Sequence, residues 1–195
     1  MKTVYVQDVL LHLNVMKTYK MKIKELLKHH WYVLIVPVGV ILDQVTKFIA
    51  RENLTGKGTI WIIKDLFGWK LSYNYGAAWS FLSEATWLLT IFSIVMTAAV
   101  SFFYYKKANE MKPLHKIVTV FIITGAIGNL IDRAFYEKGV IDFLNFEFME
   151  FPTFNFADSC LTIGAVVLMV YIVFFYKEPP KDKPQSEEEG VSSNA

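Results

Sequence analysis

A single cysteine, Cys160, occurs in the 195 residues, so no intramolecular disulfide framework is possible. It sits in an apolar run and reads as a small buried hydrophobe. Charge is scarce as well. Asp, Glu, Lys and Arg make up 19% of the chain against 54% hydrophobic residues, which excludes an ordinary soluble domain and indicates a membrane protein. The net charge of +2 gives no ground for a nucleic-acid partner, and the lysines cluster by segment rather than in one patch. Low-complexity repeats are missing. So is the pattern of a cleaved signal peptide: the first long apolar run starts at Trp31, is of spanning length and is followed by no small-residue cleavage site.

What is present is a set of four apolar runs, each near the roughly 20 residues that a membrane-spanning helix needs. They cover about 31–50, 87–105, 117–134 and 156–176, and together with the outer loops 51–86 and 135–155 they form one membrane domain, 31–176. Residues 1–30 form a basic N-terminal segment. Residues 177–195, rich in Pro, Glu, Lys and Ser, read as a disordered tail. Lys and Arg set the orientation: residues 1–30 carry six, the 106–116 loop four and the tail three, against five in the two other loops. Both termini are therefore expected on the cytoplasmic side and the loops 51–86 and 135–155 outside. The fold class expected is an all-α membrane protein, four transmembrane helices with a small β-rich region at the outer surface. That region is read from Ile60–Ile63, a short apolar run, and from the period-two alternation of Trp69–Asn74. The stretch GAAWSF (76–81) suits close packing at the bilayer interface. FEFMEF (146–151) also alternates, and its Phe side is expected to rest on lipid.

This topology gives the few intramembrane charges a common address. Asp43 and Lys47 lie in the outer half of the first span, GNLIDR (128–133) at the outer end of the third, Asp142 in the outer loop, and Asp158 at the outer start of the fourth span. Each has a purely structural explanation. Asp43 and Lys47 have the i, i+4 spacing of a helix ion pair. Asn129, Asp132 and Arg133 share one helix face, with Gly125 permitting close packing. Asn155 suits an N-cap with Asp158 as an acid at the third helical position. None of these explains why four aspartates share one membrane depth, and ionisable residues in a span are a functional hypothesis by default. His12, His29, His30 and His115 all fall on the cytoplasmic side, so a Ser-His-Asp triad or a His-ligated zinc is unavailable at this site. A Ser-Lys pair using Lys47 with Ser72 or Ser80 stays open. So does a pair of carboxylates sharing a proton.

DQVTK (43–47), NYGAAWS (74–80), GAIGNLIDR (125–133), VIDF (140–143) and FNFADS (154–159) resemble, in order, the signature blocks of bacterial lipoprotein signal peptidase, the type II signal peptidase. The resemblance covers roughly residues 30–176. It implies an aspartic endopeptidase of the bacterial cytoplasmic membrane, multi-pass and without cofactor or metal, acting as a monomer in membrane lipid. Its substrates would be prolipoproteins carrying diacylglyceryl on the lipobox cysteine, cleaved on the amino side of that cysteine. Asp142 and Asp158 match the catalytic pair. Asp43, Asn74, Gly76, Asn129, Asp132, Arg133 and Asn155 match positions supporting site or substrate, and Lys47 is read as holding the acidic cluster together.

Two other classes compete. A proton or ion transporter would place its ionisable groups near the midplane or along a path, whereas these gather at one face. A scaffold would gain nothing from acids maintained near lipid.

Overall fold

A backbone in hydrocarbon must satisfy its hydrogen bonds within its own segment, so apolar runs of this length become helices. The computed structural model describes residues 12–21, 23–24, 31–76, 86–148 and 151–175. A 3-10 turn, Trp31–Leu34, leads into α1 (Ile35–Leu54); α2 is Thr86–Lys107, α3 is Pro113–Phe135 and α4 is Phe156–Phe175. All four are long and apolar enough to cross a membrane. The helices outlast the apolar windows. α1 takes in Arg51 and Glu52 before Gly56, at φ 73°, breaks it with the left-handed residue that commonly follows a helix end. α3 begins at Pro113, whose fixed φ suits a first helical turn. Hydropathy marks where charge begins; the helix ends where its hydrogen bonding does.

α3 is the central helix and packs against α1, α2 and α4. Its approach to α4 is the tightest. A Cβ at Gly125 would collide with the Ala157 carbonyl and come within 2.7 Å of Leu161 Cγ, and one at Gly164 would come within 2.7 Å of Ile122 Cγ1. Small residues here let the two backbones meet. Elsewhere the helices present side chains such as Val38, Phe48, Phe92 and Val173 outward, more than half exposed, as lipid-facing surface.

The loops supply a three-stranded antiparallel sheet in the order β1 (Ile60–Ile63), β2 (Phe67–Asn74), β3 (Val140–Phe146). Four helices and this small sheet are the fold class expected from the sequence. β3 differs from the expectation in detail. The alternating FEFMEF run contributes only Phe146 to it; the strand is VIDFLNF, almost continuously buried. A strand covered on both faces does not alternate, so periodicity could not find it. The phenylalanines of this stretch also pack on one another. Phe146 meets the rings of Phe67, Phe148, Phe151 and Phe154 at centroid distances of 5.1–6.3 Å.

Two local features fix the sheet over the helix ends. Gly139, at φ 77°, turns the chain into β3 where a Cβ would strike the Asn74 carbonyl. Leu144 exchanges backbone hydrogen bonds with Phe154 (2.8 and 2.9 Å), which ties the segment before α4 to the edge of β3. Beneath the sheet, Ala50, Leu54 and Phe143 form an apolar cluster joining α1 to β3.

Candidate active site

The four aspartates divide into two groups, and Lys47 draws the line. Its ammonium lies 2.8 Å from Asp43 Oδ2, 2.9 Å from Asp132 Oδ2 and 3.2 Å from Asn129 Oδ1. All three are essentially closed to solvent, Lys47 at 1% and both carboxylates at 0% exposure. The expected i, i+4 pair is there, but the second carboxylate comes from α3. Backbone donors complete the cluster: Ala157 N–H donates to the free Asp43 Oδ1 (2.9 Å), and Ile141 N–H to Asp132 Oδ2 (3.0 Å), the oxygen that Lys47 also holds. One ion cluster thus joins α1, α3, β3 and α4. The Lys47 amine is directed at Asp43, Asp132 and Asn129 rather than at Ser72, which does not favour the Ser72 variant of the Ser-Lys alternative. Ser80 and residues 77–81 of the GAAWSF stretch lie outside the described residues, as do His29, His30 and the tail.

Sequence reasoning missed two members of this cluster. The Gln44 amide donates to Asp43 Oδ2 (3.1 Å), Asp132 Oδ1 (2.9 Å) and the Gly128 carbonyl (3.2 Å). Gly128 faces Asp43, and a Cβ there would lie 2.6 Å from Asp43 Oδ2. Gln44 sits inside the DQVTK block and Gly128 heads GNLIDR, so both were in view. Only the neighbouring charges gave a local signal.

The second group centres on Asn155. Its amide donates to Asp142 Oδ1 (2.7 Å), Asn129 Oδ1 (3.0 Å) and the Ile141 carbonyl (3.2 Å). Its side-chain oxygen accepts from Asp158 N–H (2.9 Å), while its own N–H donates to Asp158 Oδ2 (3.1 Å). This reciprocal exchange is a capping box, with aspartate in the place of the usual Glu or Gln. Asp158 therefore does cap α4. Its other oxygen, Oδ1, accepts from Asn129 Nδ2 at 2.7 Å. One asparagine holds both carboxylates, and Asn129 connects them to the lysine cluster.

Asp142 stands opposite Ser72 in the sheet and is 2% exposed. Burial, then the charge of Asp158, pushes its carboxyl up from the ordinary 3.8 to about 7, opposed by hydrogen bonds from Asn74 and Asn155. Neither Asp142 nor Asp158 makes an ion pair with a described residue. Asn74 also accepts from Gly76 N–H at 3.0 Å, which holds the end of β2 in a turn. Arg133 is half-buried and makes no ion pair with a described residue. Among the described residues its Nη1 reaches the Asn129 carbonyl, at 3.5 Å, and its charge lies within electrostatic reach of Asp158, Asp142 and Asp132.

Two cavities meet at Asp158 and Asn74. One, about 510 Å³, runs between sheet and α4 and is walled by Phe146, Phe151 and Phe154. The other, about 420 Å³, descends between α2, α3 and α4 past Arg133, Phe92 and Met96. Among the described residues, no group of three or more His, Cys, Asp or Glu side chains is arranged to hold a metal ion.

A multi-pass membrane protein with a carboxylate-rich site roofed by a small sheet is the class these features define. Residues 35–174 match the family described as signal peptidase (SPase) II. The chain is 34% identical to the lipoprotein signal peptidase of Clostridium acetobutylicum over 153 residues, covering 77% of this chain and 97% of that one. With the Clostridium tetani lipoprotein signal peptidase it shares 37% identity over 145 residues, 72% of this chain and 91% of the relative. A solved bacterial membrane enzyme superposes with a TM-score of 0.64 at 31% identity, covering 76% of this chain and 92% of its own. The chain belongs to the signal peptidase II family and is a multi-pass membrane peptidase.

Proposed function

We propose that the protein removes signal peptides from diacylglyceryl-modified prolipoproteins, cleaving on the amino side of the lipidated cysteine, with Asp142 and Asp158 as an aspartic dyad. The observation that carries this reading is the division of the aspartates. Asp43 and Asp132 share the Lys47 ammonium, whereas Asp142 and Asp158 share Asn155 and have no paired cation among the described residues, and Asp158 stands where two cavities meet. The cavities favour the substrate class. A scissile bond between a membrane-embedded signal helix and a lipidated cysteine has an apolar part on each side, and needs two apolar grooves converging on the chemistry.

In the mechanism, Asp142 and Asp158 share one proton; Asp142, whose carboxyl burial pushes up to about 7, is cast as the acid and Asp158, which lines both cavities, as the base. Asp158 takes a proton from a water between them as its oxygen attacks the scissile carbonyl carbon. Asp142 gives its proton to the carbonyl oxygen. On collapse Asp158 passes its proton to the leaving nitrogen, the C–N bond breaks, and Asp142 recovers its proton from the diol. Asn129 and Asn155 keep the acceptors oriented, Asn74 borders both cavities, and Arg133 meets the substrate or a lipid phosphate. Lys47, Asp43 and Asp132 lock the helices beneath. The whole site is built within one chain, which supports a working monomer.

The lysine and arginine distribution supports a cytoplasmic membrane location with both termini inside and the site outside. The purified protein incubated with a lipidated prolipoprotein should yield the shortened product and leave an unlipidated one intact. Failure to cleave the lipidated substrate contradicts the reading. A reporter fused after Ser83 should be active only outside the cytoplasm; a cytoplasmic signal there would overturn the orientation.

A further inference from the structure

Residues 12–21 and 23–24 are helical, yet every described side chain in them is exposed, including Leu13, Val15, Met16, Tyr19 and Ile23 at 41–61%. The family match begins only at residue 35, so membership accounts for nothing here. At about 100° per residue, Val15, Met16, Tyr19 and Ile23 fall within an arc of about 100° that also holds His12, while Leu13 and Met21 fall outside it. Lys20, Lys24 and Lys17 follow about 40°, 80° and 100° beyond one edge of that arc, and Thr18 and Asn14 about 60° and 100° beyond the other. An apolar stripe beside lysines whose stems reach past it is the pattern of a helix lying in a membrane interface.

We propose that this helix lies in the plane of the bilayer at the N-terminal end of α1, binding anionic phospholipid with its apolar stripe immersed. Charge selects the occupant. The helix brings Lys17, Lys20 and Lys24 to a surface that anionic lipid makes negative, whereas a basic signal-peptide end would be repelled. Position makes the contact available. Trp31 and Tyr32, with ring centroids 4.2 Å apart, stand at the start of α1 where aromatic residues mark the membrane interface. Six residues, at most about 25 Å of extended chain, separate residue 24 from Trp31. A tether that short keeps the helix at an effective concentration near millimolar, so modest affinity suffices.

The test uses the full chain with Cys160→Ala, carrying a nitroxide at Met16→Cys or Thr18→Cys, in vesicles of phosphatidylcholine with or without phosphatidylglycerol. With phosphatidylglycerol, the label at 16 should be reached by oxygen and shielded from a water-soluble nickel chelate, and the label at 18 the reverse. Joint reversal of charge (Lys17→Glu, Lys20→Glu, Lys24→Glu) should abolish that contrast. Equal exposure of both labels to the chelate overturns the proposal, as does equal immersion in phosphatidylcholine alone. Shielding of the label at 16 from both reagents also overturns it, because protein, a second copy included, then covers the stripe. The readout involves no cleavage, so its failure is distinct from failure of the proposed peptidase reaction.

Discussion

Asp43 and Asp132 differ from Asp142 and Asp158 in partners, though all four are aspartates at one end of the helix bundle. The first two are fully buried against one ammonium and capped by backbone N–H groups. The second two share an asparagine and have no paired cation among the described residues. Two buried carboxylates held on one buried ammonium tie helices together. One held only by neutral donors beside another carboxylate keeps a labile proton. Environment, not residue type, assigns framework and chemistry.

The contrast should break most sharply at the second pair. Asp142→Asn and Asp158→Asn are each expected to reduce turnover on a lipidated substrate at least ~100-fold, the low end of a general acid–base contribution, with no large fall in unfolding temperature. Near-normal cleavage by either variant would remove it from the dyad. The opposite signature belongs to Lys47→Met, which leaves two buried carboxylates without their cation. A loss of about 3–5 kcal/mol is expected, read as a large fall in unfolding temperature in detergent. Stability close to wild type would mean the cluster does not hold the helices. Gly128→Ala probes the same cluster sterically. Pushing a methyl toward Asp43 should destabilise by about 1–3 kcal/mol, and a neutral effect would show that α1 can yield there.

A subtler separation comes from pH. Asp142 keeps its proton in the fold up to about 7 against an ordinary 3.8. Between those values the folded protein binds more protons than the unfolded chain, so stability falls as pH rises through that window. Asp142→Asn should flatten that slope, and wild-type cleavage should decline as pH rises past about 7. An unchanged slope in the Asn variant would assign the proton elsewhere. The smallest structural effect is expected from Arg133→Lys. With no ion pair to a described residue to lose, the variant should unfold at the wild-type temperature while cleaving poorly, because lysine lacks the planar fork. Equal loss of stability would make Arg133 a framework residue.

Local patterns in the sequence carried much of this. Four apolar runs gave the helices, the Asp43 and Lys47 spacing gave one ion pair, and Asn155 with Asp158 gave the cap of α4. What stayed hidden was contact at a distance. The second carboxylate of Lys47 comes from α3, and Gln44 reaches it across 88 positions, which no periodicity records. β3 escaped because it is buried on both faces. Gly139 and Gly128 matter through what a Cβ would strike, visible only once the neighbouring chain is in place. Asp142 had no local partner in the sequence, and its environment emerges only when β2, β3 and the start of α4 meet.

Whether Asp142 and Asp158 act as one unit is tested most directly by the double variant Asp142→Asn/Asp158→Asn beside both single variants, with turnover measured on a lipidated prolipoprotein. Residues that act together lose most of their effect with the first substitution. The double variant should therefore be about as slow as the slower single one. Losses that multiply would mean two independent contributions, and would contradict a shared-proton dyad.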